Sequence, residues 1–128
     1  MKTSPRVDTI LARVRVICLG FAEAEEKVSH GAPCFHVRSK LFVMFLNNHH
    51  RDGRIAVWCK APPGVQAALV DSDPDRFFVP PYVGPSGWVG MRLDRPRTEW
   101  NALASIAEEG WRMIAPKRLL AAADARSR

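Results

Sequence analysis

Six of the seven histidines and cysteines fall between residues 30 and 59 and could bind a metal or act as nucleophile or base: His30, Cys34, His36, His49, His50 and Cys59. The tightest group is His30, Cys34 and His36, inside the stretch SHGAPCFHVR at 29–38. Imidazole and thiolate are zinc ligands, but structural zinc sites present them in close pairs such as CxxC or HxxxH. H-x3-C-x-H is not such a pair, and the spacing assigns neither a metal nor a cofactor. A thiolate–imidazole pair is the second possibility, since residues two apart on a strand share a face about 7 Å apart. No Gly-rich oxyanion loop accompanies Cys34 and His36, so no catalytic residue is assigned. The remaining reading is a plain strand face with Cys34 as a small buried hydrophobe.

The glycines of GPSGWVG, at 84, 87 and 90, come without a Walker lysine and read as turn chemistry ahead of a strand. Glu25/Glu26 and Glu108/Glu109 are sequence neighbours, which suits solvated charge better than paired acid–base work.

Charge is more informative. Nineteen Lys and Arg against thirteen Asp and Glu give a net charge of +6, and the pI is about 9.8. Such a balance favours anionic partners. Arg38, Lys40, Arg54, Lys60 and Arg92 fall at strand ends and turns and are the candidate nucleic-acid contacts. Arg51, Arg95 and Arg97 occupy similar positions. Tyr82 and Trp88 lie in a loop among them and could stack on a base or close the core. An alternative use of the same region is a pocket for a small molecule or a protein segment under PPYVGPSGW. It would be lined by His36, Trp58, Tyr82 and Trp88.

The elements that position these residues follow from periodicity. Ser4 and Pro5 open a helix with Val7, Ile10, Leu11, Val14, Ile17 and Phe21 on one face, and Gly20 ends it. EEKVSH reads as a short edge strand, and Gly31 and Pro33 bend the chain after it. CFHVRS puts Phe35 and Val37 on one face and Cys34, His36 and Arg38 on the other. KLFVMFLN is apolar on both faces and reads as a central strand, joined tightly to the previous one. RIAVWCKA places Ile55, Val57 and Cys59 against Ala56 and Trp58. Val65, Ala68 and Leu69 can line a short helix, and Arg76–Val79 a short extended piece. GWVGMRLD alternates Val89, Met91 and Leu93 against Trp88, Gly90 and Arg92. Asp94 is the expected N-cap of a long helix with Trp100, Leu103, Ala104, Ala107, Trp111 and Ile114 on its inner stripe.

This order predicts an α+β domain: an antiparallel β-sheet with N-terminal and C-terminal helices packed on it. Length fits a single domain over 1–128, with a core at about 5–120 and a flexible tail at 121–128. Three cysteines without a CxxC suit a reducing compartment, so a cytoplasmic location is expected. LFVMFL, the longest apolar run, is too short to cross a bilayer, and no membrane partner is expected.

Taken in order, several segments resemble the MmcQ/YjbR family. They are the helix ending at CLGF, EEKVSHGAPCFHVRSKLFVMF, VWCKAPPG, FFVPPYVGPSGWVGMRLD and TEWNALASIAEEGWRMIAPKRL, together spanning roughly residues 5–120. The matching residues are Gly31, Pro33, Phe35, Lys40, Phe42, Gly87, Trp88 and Trp100. The resemblance implies a compact α+β fold and a DNA-binding activity, described for the family through a double-wing arrangement of strands. It brings no catalytic residues and no metal site. The family's segment ahead of its Trp is often basic, whereas YVGPSG here carries no Lys or Arg.

Overall fold

The structure, a computed structural model, describes residues 4–126. Helix α1 spans Pro5–Leu19, and its first turn is closed by Ser4, whose Oγ accepts from the Val7 N–H at 3.2 Å. Val7, Leu11, Val14 and Cys18 form its buried stripe, and Gly20 caps its end.

Six antiparallel strands follow: β1 (Ala24–Ser29), β2 (Ala32–Val37), β3 (Lys40–Asn47), β4 (Ile55–Cys59), β5 (Phe77–Phe78) and β6 (Val89–Arg92). They lie in the order β1-β2-β3-β4-β6-β5. The β1–β2 turn is His30–Gly31, with φ of 50° and 79°. Positive φ at both central residues is what a type I′ hairpin requires. The bend is therefore complete at Gly31. Pro33, expected to share in it, lies inside β2 opposite Val28. Arg38 and Ser39 form the next two-residue turn, with Arg38 at φ 59°. Arg38 therefore leaves the strand before it can share a face with Cys34 and His36, which corrects the alternation expected from sequence.

Central β3 is apolar on both sides, and it carries a bulge. Phe35 pairs with Val43 but His36 pairs with Leu41, which leaves Phe42 as an extra residue. Phe42 and Val43 consequently both enter the same core. That core also receives Phe35, Val37, Phe45, Val57, Val89 and Met91 and is covered by α1 and by α3 (Trp100–Ile114). Helix α2 (Val65–Ser72) adds Val65, Leu69 and Val70 at its margin, while Ala68, expected inside, is exposed. The opposite face holds a second cluster of Ala32, Cys34, Leu46, Ala56, Trp58, Phe78 and Trp88.

Two expectations at the C-terminal end change. Asp94 does not cap α3. Its carboxylate instead accepts from Arg92 at 3.0 and 3.1 Å and from the Ile55 N–H at 3.3 Å, and α3 begins later, after Glu99. The expected flexible tail is helix as far as the structure describes it. Helix α4 runs Lys117–Arg126, built on the helix-forming run LLAAADAR. It is anchored by buried Leu119, by an Arg118–Glu23 ion pair and by Arg112–Asp124 at 3.0 Å. The remainder of that tail, residues 127–128, lies outside the described residues.

Helix α3 approaches the sheet at Gly110. A Cβ there would sit 2.6 Å from the Lys60 carbonyl oxygen. In an exposed helix, replacing Gly by Ala stabilises by about 1 kcal/mol. Here the sign reverses, because the obstacle is backbone. Gly110→Ala is expected to destabilise the fold by about 1–3 kcal/mol, as overpacked core sites do. A urea titration that showed a higher midpoint for the variant would contradict this packing.

Candidate nucleic-acid interface

Strand alternation puts Arg54, Ala56, Trp58 and Lys60 on the helix-free face. Arg54 lies over the Phe78 ring, with its guanidinium carbon 4.0 Å from the centroid. Lys60 Nζ stands 5.9 Å from the Trp88 ring. Phe78 can lie flat against β6 because Gly90, its partner in register, has no Cβ to meet the ring. Among the described residues neither Arg54 nor Lys60 forms an ion pair.

The other three candidate cations are placed differently. Arg92 pairs with Ala56 in register and shares the helix-free face, but its guanidinium is held by Asp94. Burial works to raise the Asp94 carboxyl. The Arg92 hydrogen bond and the Ile55 N–H outweigh it and hold the group below its ordinary value. Arg38 sits at the hairpin tip, 3.7 Å from Glu23. Lys40 is paired with Val37, whose side chain belongs to the helix-covered core, so register places Lys40 on the helix-covered side of the sheet, away from Arg54 and Lys60.

Two loops complete the helix-free layer. The loop after β3 contains a 3-10 turn, His49–Arg51, and the Pro-rich loop before β6 carries Tyr82 and a second 3-10 turn, Gly84–Ser86. The His49 ring meets the Trp58 ring edge-on at 5.0 Å and the Tyr82 ring at 6.1 Å. His50 Nε2 and the Tyr82 hydroxyl are hydrogen-bonded at 3.0 Å. Gln66 of α2 pins the second loop, donating to the carbonyls of Gly84 at 2.9 Å and Trp88 at 2.6 Å. Sequence spacing gave no sign of the His49–Trp58–Tyr82 contact. The histidine pair was visible, but what it touches depends on two loops far apart in the chain.

The residues proposed to line a pocket are therefore partly brought together. Trp58 and Trp88 share one cluster and are only 2% and 6% exposed, filling space rather than walling it. Tyr82 reaches them through His49, while His36 lies on β2. A cleft of about 310 Å³ is found elsewhere, lined by Val7, Leu11, Val28, Phe45 and Leu46 with His30 and His49 at its polar margin.

The opening His–Cys–His group separates. His30 is an exposed turn residue and Cys34 is buried, its thiol donating to the Ala32 carbonyl at 3.4 Å. Burial pushes the Cys34 thiol up against the opposing pull of a backbone hydrogen bond at Ser29. Burial also raises Cys59, and pushes Cys18 up to about 12 with a contribution from Glu26. All three are free thiols held in the protonated form. No three His, Cys, Asp or Glu side chains gather as a metal site among the described residues.

Burial lowers the His49 pKa, the neighbouring His50 charge lowers it further, and Asp52 opposes both. Burial likewise lowers His36, with Lys27 adding and Glu25 opposing. A base whose folded pKa lies below its unfolded one stabilises the fold while neutral. That stability is present above the unfolded value and is lost as pH falls through the folded value. The urea midpoint is expected to fall on acidification through the histidine range, and to fall less steeply in His49→Gln. An identical pH slope in the variant would remove His49 as a source.

No curated protein matches the chain significantly. The crystal structure of Deinococcus radiodurans protein DR2400, family-model domain DUF419, is similar in fold. Its TM-score is 0.69 at 15% sequence identity, over 84% of this chain and 79% of that one. A family model described as YjbR matches residues 19–113, from the end of α1 through α3. The resemblance seen in the ordered motifs thus holds across all six strands and nearly all of α3, and the chain belongs to the YjbR family.

Proposed function

We propose that this protein binds DNA through the helix-free face of its sheet, with Arg54 and Lys60 as the principal phosphate contacts. The observation that carries the reading is their placement: two cations without carboxylate partners at the two ends of β4, each set over an aromatic ring of the same buried cluster. A net charge of +6 supplies the long-range attraction. Lys27 is paired with Cys34 in register and adds a further exposed cation to the same face. Arg92 contributes less because Asp94 already neutralises it, and Arg38 and Lys40 lie outside this face. Three free cysteines suit a reducing, cytoplasmic setting. Among the described residues no helix is long and apolar enough to cross a membrane.

Anisotropy titrations of labelled DNA at several salt concentrations test the reading. Affinity should fall linearly with log salt, with a slope of about −0.9 per phosphate contacted. Arg54→Gln and Lys60→Gln should each weaken binding and reduce that slope by about one. Arg38→Gln should change little. Absence of binding at low salt, or an equal loss in all three variants, would overturn the assignment.

A further inference from the structure

Tyr82 is held in a conformation that its own burial does not explain. The Val83 N–H donates to the Pro81 carbonyl at 2.7 Å, closing a three-residue turn around Tyr82 at φ 64°. Such positive-φ γ-turns are rare and strained. A core side chain could compensate by filling space, yet Tyr82 is 73% exposed. Its hydroxyl is tied to His50, whose φ is 49°, beside Asn48 at 56° and Arg51 at 61°. Left-handed backbone in two separate loops thus converges on one exposed ring. Beneath it, the buried His49 Nε2 and Trp58 Nε1 have no hydrogen-bond partner. Strain and unsatisfied polar atoms in one place mark a site shaped for something other than stability.

We infer that Tyr82 is a stacking platform for an unpaired base, so that the site takes DNA with a single-stranded segment. This rests on the DNA-binding reading and specifies the form of DNA it applies to. A ring fixed before binding loses little freedom on contact, and every base offers a π-face. Bases inside a duplex do not present theirs. Arg51 follows His50 directly, is exposed, and makes no ion pair among the described residues. It is placed to contact the phosphate of the stacked nucleotide.

The test compares a blunt duplex with the same duplex carrying a single-stranded tail that contains 2-aminopurine. Wild-type protein should prefer the tailed DNA and quench the probe. Tyr82→Ala should lose about fivefold to a hundredfold in affinity for the tailed DNA, the range expected of one base–aromatic stack, and keep its duplex affinity. Tyr82→Phe, which retains the ring but not the hydroxyl, should keep most of the preference. Melting curves confirm that both variants fold. Equal affinity of the wild type for the two DNAs, or a Tyr82→Ala loss shared by both, overturns the stacking role and leaves DNA binding standing. Failure of the wild type to bind either DNA at low salt overturns the DNA-binding reading and the stacking role with it.

Discussion

The fold turns on a mismatch between what β3 demands and what the helices provide. KLFVMFLN must be buried on both faces, because Phe42, Val43 and Phe45 point one way and Leu41, Met44 and Leu46 the other. Helices α1 and α3 cover only the first side. Antiparallel sheets usually resolve this by leaving the second face polar. Here that face is apolar and aromatic, so it is sealed by what lies nearest: two loops and the long side chains of Arg54 and Lys60.

Sealing a sheet with loops makes unusual demands on backbone. A helix satisfies its own N–H and C=O groups, whereas a loop must find partners elsewhere. Asn48 Oδ1 accepts from the Gly53 N–H at 2.8 Å, Asp52 Oδ1 from the Arg54 N–H at 2.9 Å, and Gln66 serves two carbonyls of the second loop. These side chains tie down the backbone of both loops, the left-handed Asn48 and Gly53 included. The strained, fixed Tyr82 follows from that arrangement.

What sequence revealed and what it did not divides along the range of the forces involved. Alternation in β4 and β6 is local, so the two faces of Val57 and Trp58 or of Met91 and Gly90 could be read directly. Ser4 and Pro5 likewise act within one turn of α1. Asp94 could not be read, because its carboxylate is claimed by Arg92 and by the Ile55 N–H thirty-nine residues away. The face of Lys40 could not be read, because a two-residue turn and a one-residue bulge set its register and put it on the face opposite Met44 and Leu46. At the tail, the intrinsic helix preference of LLAAADAR was a legible signal, and Leu119 gave it a surface to dock on. The pairing of cations with rings was hidden for a different reason. Arg54 and Phe78 meet only because Gly90, on the strand between theirs, lets an aromatic ring lie across it.

The same side chains that seal the face would have to serve a phosphate, and the two cations differ in how well they can do both. A guanidinium stacked on an aromatic ring keeps its N–H groups in the plane, pointing outward. Arg54 can therefore donate to a phosphate without leaving Phe78, and its seal survives binding. Lys60 holds a compact ammonium on a flexible stem at the looser distance of 5.9 Å, so it can reach an anion only by moving off Trp88. Arg92 is a fork already filled by Asp94, and engaging DNA would expose a partly buried carboxylate. Net charge alone ranks these cations equally. Their immediate partners do not: in the proposed DNA-binding role Arg54 would be a fixed contact and Lys60 an adjustable one, whereas Arg92, through Asp94, braces β6 against the start of β4.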